Sequence, residues 1–230
     1  IVDAVDCATA DARGPALWAS LAVLIAGSLW RVAGILRLGT TPDLSEPRST
    51  RLFAGALRGI VARMLPGKAF RHRHKLGVWN GYVYHLGLAV VVFGYLPHIR
   101  FVERLTGLAW PPLPEPVVFV SVGLTIVSLL IALMERLGDP VRRLLSGFDD
   151  YFSWFVVVLP IATGMIAIHQ SYAPGAPPAP PLDPLLLAIH LLSVELLFLW
   201  LPFGKLAHAF LVFASRGITG AALTRKGAAL

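Results

Sequence analysis

Cysteine, charge and the motifs of nucleotide or hydrolytic chemistry are all scarce in this chain. Its single cysteine, Cys7, excludes an internal disulfide framework and any iron–sulfur cluster held by cysteines of this chain alone. Only 14% of the 230 residues are charged, which is too few to cover a soluble domain of this length. The sequence also has no glycine-rich phosphate loop before a helix and no HExxH zinc motif. These absences argue against a soluble nucleotide-binding, hydrolytic or zinc enzyme.

Apolar residues dominate instead. They make up 56% of the chain, and the mean hydropathy is +0.70. Stretches long enough to cross a bilayer occur at about 15–36, 76–96, 116–134, 152–168 and 184–203. We therefore predict an all-α fold, an integral membrane bundle of five transmembrane helices that forms one domain over residues 1–230.

Basic residues are concentrated in alternate connections. Residues 31–75 hold ten lysines and arginines, whereas residues 170–183 hold none. The positive-inside rule then places the N-terminus outside and the C-terminus in the cytoplasm. Arg100 and Arg104 run against this pattern. Because topology accounts for the net charge of +7, we infer no nucleic-acid binding.

A further helix is predicted outside the spans, at about 50–64. Its apolar side chains recur at helical spacing and its arginines occupy other faces, which is typical of a basic amphipathic helix: the apolar set is Leu52, Phe53, Ala56, Leu57, Ile60, Val61 and Met64, and the arginines are Arg51, Arg58 and Arg63. Such a helix lies on the inner membrane surface or docks a cytoplasmic partner, and these two roles are compatible.

Histidines carry the chemistry of the predicted fifth span. His190 and His208 are eighteen residues apart, which is five whole turns if one helix is continuous between them. Both imidazoles would then face the same way, roughly 27 Å apart along the axis, close to the thickness of about 30 Å of a bilayer hydrocarbon core. Two inward-facing imidazoles near opposite membrane faces are what a helix offers to two stacked haems.

The second span offers the opposing ligands, His85 and His98. Because spans 2 and 5 run in opposite directions, we expect the pairs His85–His208 near the cytoplasm and His98–His190 near the outside. On an ideal helix, thirteen residues rotate His98 by about −140° from His85, so the second pair requires a kink at Pro97. A lone membrane histidine is more simply a hydrogen-bonded polar group, but four at two matched depths favour ligands.

These motifs resemble a known family. The run from His190 to His208, with its Leu-Pro-Phe-Gly-Lys-Leu-Ala-His ending, resembles the last transmembrane helix of the gamma subunit of respiratory nitrate reductase. The Tyr-His-Leu-Gly-Leu sequence at 84–88 resembles the start of the haem-binding second helix of that family. The Phe-Asp-Asp-Tyr-Phe-Ser-Trp run at 148–154 and the Val-Glu-Leu-Leu sequence at 194–197 are more similar to the cytochrome b subunits partnered with heterodisulfide-reductase-like proteins, including those of dissimilatory sulfur metabolism.

The resemblance implies a subunit of a larger oxidoreductase in a bacterial or archaeal cytoplasmic membrane. It implies two b haems in series, quinol oxidation or quinone reduction near the outer haem, and a cytoplasmic iron–sulfur, heterodisulfide-reductase-like or molybdoenzyme partner. Within the nitrate reductase pattern the second ligand of helix 2 would be Tyr95, and His98 is the available substitute. Arg100 and Lys205 are candidate partners of haem propionates, and Glu195 is a costly carboxylate within a span.

Two alternatives remain at this point. A protein with only the His85–His208 site would be a single-haem membrane anchor. A non-redox transporter or assembly scaffold would use the histidines to bind substrate or to stabilise the bundle.

Overall fold

The computed structural model describes residues 14–39, 44–64, 75–169 and 183–228, and this part of the chain is helical, without strands. Its helices are α1 (Pro15–Arg37), α2 (Leu52–Ala62), α3 (Lys75–Gly94), α4 (Leu96–Thr106), α5 (Glu115–Gly138), α6 (Pro140–Leu144), α7 (Phe148–His169), α8 (Pro184–Trp200) and α9 (His208–Arg225), with a 3₁₀ turn at Lys205–Ala207. The predicted all-α fold is confirmed.

Five helices are long and apolar enough to cross a membrane. Four of them are α1, α5 and the segments Leu76–Gly94 of α3 and Phe148–Ala167 of α7, which match the first four predicted spans. The fifth is Lys205–Arg225, whereas α8 has 17 residues and is shorter than the other five. Length and composition therefore support a multi-pass membrane protein.

The prediction of one continuous helix from His190 to His208 is wrong. Helix α8 ends at Trp200, whose carbonyl accepts hydrogen bonds from the backbone N–H groups of Phe203 and Gly204 at 3.1 Å each. Pro202 lies in this turn and has no N–H to continue the helix. A new helix begins at His208 itself, so the five-turn phase relation between the two histidines does not hold.

The second predicted span also breaks, as the pairing of His98 requires. Helix α3 ends at Gly94, Tyr95 is extended, and α4 begins at Leu96 with Pro97 in its first turn. Proline fits the first turn of a helix because its missing N–H would have no intrahelical partner there. The expected kink at Pro97 is confirmed as a complete helix break.

The chain divides into two compact units, residues 1–17 with 74–197 and residues 18–73 with 198–230. In the first unit, α3, α5 and α7 enclose an apolar core around Val122, Leu129 and Ile161. A polar clasp joins α3 to α5 within it: the Asn80 side-chain amide donates to the Ser128 carbonyl at 2.8 Å, and the Ser128 hydroxyl donates to Asn80 Oδ1 at 2.5 Å. Paired donors and acceptors make this burial of polar groups tolerable in an apolar setting.

In the second unit, α2 runs antiparallel along the C-terminal half of α9. Gly55 lies against Thr224, and Gly59 lies against Gly220 and the Arg216 carbonyl. A Cβ atom built at Gly59 would approach the Cα of Gly220 to 2.6 Å, so the two backbones are in direct contact. Glycine is the residue that permits this approach.

A candidate two-imidazole site in the first unit

The first unit brings two of the predicted ligands together. The ring centroids of His98 and His190 are 6.4 Å apart, and their planes differ by 20°. His98 lies in the first turn of α4 and His190 lies in α8. The predicted outer pair is therefore adjacent in the structure, although ninety-one residues of sequence lie between its members.

The helix break after Gly94 positions His98. The last carbonyls of a helix have no intrahelical partner, and here three of them find one: Val91 accepts from His98 Nδ1 at 2.9 Å, Phe93 from the Trp110 indole at 2.6 Å, and Gly94 from the Leu113 N–H at 2.9 Å. The Tyr95 ring packs edge-on against the imidazole, with centroids 5.3 Å apart. Because a carbonyl only accepts, His98 carries its proton on Nδ1.

Helix α7 positions His190. The Thr163 hydroxyl lies 3.3 Å from His190 Nδ1 and donates to the Leu159 carbonyl at 2.8 Å, so its lone pair is available to the imidazole N–H. Gly164 gives the ring its space, since a Cβ there would lie 3.0 Å from His190 Cε1.

The other two predicted ligands show the same arrangement at Nδ1. His85 Nδ1 is 2.7 Å from the Gly81 carbonyl, and His208 Nδ1 is 2.8 Å from the Lys205 carbonyl. In His85, His98 and His208 a carbonyl thus holds the Nδ1 proton and leaves Nε2 as the basic nitrogen, which is the usual support of a metal-binding imidazole. In His190 the Thr163 hydroxyl lies beside Nδ1. His85 and His208 belong to different units, and their pairing stays a prediction.

The two residues at the break that could ligate iron differ in chemistry. A neutral imidazole such as that of His98 is a competent iron ligand, whereas a neutral phenol such as that of Tyr95 is a poor one.

The spacing of the two imidazoles can be compared with that of a haem iron between two histidines. Within the described residues, no group of three or more His, Cys, Asp or Glu side chains is arranged to hold a metal. If both Nε2 atoms faced one iron, two metal–imidazole bonds of about 2.0 Å, with the ring radii added, would place the ring centroids about 6 Å apart. The observed separation of 6.4 Å is close to this value.

Arg100 and Lys205, the candidate propionate partners, are both exposed. Arg100 follows His98 by two residues on α4. The backbone carbonyl of Lys205 also lies 2.8 Å from His208 Nδ1, a contact that the sequence did not indicate. Their predicted contacts with a cofactor stay predictions.

Sequence reasoning missed the supporting residues Thr163 and Gly164. The signal that could have indicated them is a hydroxyl-bearing residue three positions after Pro160 and a small residue four positions after it, within an apolar helix. Glu195 of α8 is buried, and its Oε1 atom has no hydrogen-bond partner among the described residues.

One cavity of about 310 Å³ lies elsewhere in the first unit, between α3, α5 and α6. Asn80 and Tyr84 line it together with Glu135, Arg136 and Arg142. Both arginines are already paired, Arg136 with Asp150 at 2.8 Å and Arg142 with Glu135 at 3.0 Å. These pairs fasten the connection between α5 and α7, and the imidazole pair remains the better candidate for chemistry.

A protein of Nitratidesulfovibrio vulgaris (strain Hildenborough), named simply "Protein", is 30% identical to this chain over 227 residues, which cover 94% of each chain. No family model matches the chain, and no solved structure matches it. The similarity extends over nearly the full length of both proteins, so it concerns the whole helical architecture and not a single motif.

Proposed function

This chain belongs to the same family as the Nitratidesulfovibrio vulgaris protein, and we propose that it is the haem b membrane subunit of a respiratory redox complex. In this function it transfers electrons between membrane quinol or quinone and a cytoplasmic redox partner. The observation that carries the proposal is the His98–His190 pair, with ring centroids 6.4 Å apart and both Nδ1 atoms held by oxygens.

The surrounding residues prepare both imidazoles to ligate iron through Nε2. The Val91 carbonyl and the Thr163 hydroxyl keep the proton on Nδ1, which fixes the tautomer and the ring orientation. Gly164 leaves room for the His190 ring, and Tyr95 supports the edge of the His98 ring. A haem iron bound between two neutral imidazoles supplies one-electron chemistry.

A second haem requires the second pair of histidines. His85 and His208 have the same Nδ1 support, and we propose that they form the inner site. The chain then carries electrons between two b haems in series. The terminal iron–sulfur, heterodisulfide-reductase-like or molybdoenzyme partner, like the quinone reaction near the outer haem, follows from the resemblance of the helix motifs.

We infer that α8, and not α9, is the fifth crossing. The 17 residues of α8 reach the lower limit of about 17 for a spanning helix, and α8 carries no lysine or arginine, although it holds His190, Ser193 and Glu195. Helix α9 has Arg216 at its centre, and its C-terminal half packs against the arginine-bearing α2. A charge at the centre of a bilayer is costly. With α8 crossing, the charge distribution favours an external N-terminus and a cytoplasmic C-terminus.

Haem stoichiometry tests the proposal. The purified protein is expected to contain two b haems per chain by the pyridine haemochrome assay, and His98→Ala or His190→Ala is expected to leave one. Tyr95→Phe is the matched control and is expected to keep both haems, since the phenol is not a ligand.

Each other outcome has a defined meaning. One haem in the native protein and in His98→Ala would show a single-haem anchor. Absence of haem from the native protein would overturn the proposal in favour of a non-redox transporter or scaffold.

A further inference from the structure

Helix α2 has two distinct apolar faces, and α9 covers only one of them. The covered face consists of Gly55 and Gly59, which are buried, with Ala56 and Ile60 close to Gly217 of α9. The pattern of apolar residues in the sequence does not separate this face from the other. The glycines take α2 so close to α9 that Phe53, Leu57 and Val61 remain outside the contact.

The second face is exposed. Phe53, Leu57 and Val61 recur every four residues, which places them along one side of the helix. Their exposed fractions are 78%, 49% and 70%. Large apolar side chains in an unbroken stripe of this kind mark a surface that meets something other than water.

Two arginines border one side of this stripe, and a third caps the helix. Arg51, Arg58 and Arg63 are all exposed, and α2 itself contains no acidic residue. Arg58 borders the stripe next to Val61 on the helix, and Arg51 lies one step further round. An apolar stripe with a cationic border is complementary to the acyl chains and phosphate groups of an anionic membrane leaflet.

The chain also keeps α2 near a bilayer. Fourteen residues separate the end of α1 from the start of α2, and twelve separate the end of α2 from the start of α3. Both flanking helices are long and apolar enough to cross a membrane. Tethering at both ends gives the leaflet a high effective concentration at this face, which a separate protein partner does not have.

We propose that the exposed face of α2 is a binding surface for anionic phospholipid, in which Phe53, Leu57 and Val61 enter the leaflet while the arginines contact lipid phosphates. Helix α9 then supports α2 from the side away from the lipid. This proposal does not depend on haem binding and can fail while the redox function holds.

Site-directed fluorescence quenching tests it on the full chain. With Cys7→Ser as background, a single cysteine at position 53, 57 or 61 carries an environment-sensitive dye in proteoliposomes that contain brominated phosphatidylcholine, with or without phosphatidylglycerol. We expect quenching at all three positions, about twofold stronger with phosphatidylglycerol. Leu29→Cys, at an exposed position of α1, is the lipid control, and Glu46→Cys, exposed before α2, is the aqueous control.

Replacing Arg51, Arg58 and Arg63 by glutamine is expected to remove the preference for phosphatidylglycerol, because each arginine near an anionic surface strengthens the attraction. Equal quenching in both lipid mixtures in the native background would overturn the recognition of anionic lipid. Quenching no greater than at the Glu46→Cys control would overturn membrane binding altogether and leave this face to a cytoplasmic partner.

Discussion

Two of the predicted ligands, His98 and His208, each follow a helix break, and the two breaks differ in the contacts that the following histidine makes. The break after Gly94 lies within the first unit, where the new helix α4 carries His98 to the ring of His190. The break after Trp200 lies in the second unit, where α9 begins at His208. The proposed partner of His208 is His85, in the first unit. Both imidazoles of the proposed outer site therefore lie in one unit.

This difference matters for how each site holds a cofactor. Both ligands of the outer site are held by oxygens from the same unit, the Val91 carbonyl and the Thr163 hydroxyl. The imidazoles of His85 and His208 are held equally well, at 2.7 Å and 2.8 Å from the carbonyls of Gly81 and Lys205, and each of these contacts lies within its own unit. Preorganisation within one unit reduces the entropy lost on binding.

The largest expected effect comes from filling the space beside His190. In Gly164→Val the new side chain would start 3.0 Å from His190 Cε1, so the imidazole must leave its position against α7. We expect the haem content to fall from two to one per chain. Gly123→Val is the matched control, since a Cβ at that helical glycine meets no atom within 4 Å. An unchanged haem content in Gly164→Val would contradict the assignment of His190 as a ligand.

The comparison of the two sites also predicts an order of haem release. His85→Ala leaves the outer haem alone, and His98→Ala leaves the inner haem alone. When one ligand dissociates, the outer site keeps the second imidazole at a high effective concentration. We expect the outer haem to transfer to apomyoglobin between tenfold and a hundredfold more slowly than the inner one. Equal rates would show that the adjacency of His98 and His190 within one unit does not slow the release of haem.

Sequence patterns predicted the parts of the structure that depend on local chemistry. The apolar runs predicted four of the five long helices. Pro97 predicted the helix break that reorients His98, because a proline within a helix removes a backbone hydrogen bond at a known position. The break after Trp200 was missed, although Pro202 obeys the same rule. The even spacing of His190 and His208 suggested a continuous helix, and periodicity carries no information on whether the backbone is interrupted.

The supporting contacts could not be predicted because they join distant segments. Thr163 contacts His190, which is 27 positions later in the sequence, and Gly59 contacts Gly220, which is 161 positions later. The amphipathic pattern of α2 was correct, but it did not reveal that glycines would form the contact face and leave Phe53 exposed. Which apolar face of α2 is buried is decided by its packing against α9, and the sequence pattern of α2 alone does not distinguish these faces.

A smaller effect is expected from Thr163→Val, which keeps the shape of the side chain and removes the acceptor at His190 Nδ1. Loss of such a support lowers cofactor affinity about tenfold. The imidazole becomes a weaker electron donor, so we expect the midpoint potential of the outer haem to rise. Thr219→Val is the control, because its hydroxyl makes the same kind of bond, to the Ser215 carbonyl at 2.8 Å, in the second unit. A potential unchanged in Thr163→Val would show that the hydroxyl does not set the tautomer.

The smallest expected effect belongs to Arg100→Gln. Arg100 is exposed, and an exposed charge pair contributes at most about 1 kcal/mol, which corresponds to a shift of about 40 mV or less for a one-electron couple. Removal of a positive charge near the outer haem favours the oxidised state, so its midpoint potential is expected to fall while that of the inner haem stays constant. Potentiometric titration in low salt resolves the two haems, and high salt is expected to reduce the shift because exposed charges are screened. An equal shift of both potentials would mean that Arg100 acts on the protein as a whole and not on the site that follows the first break.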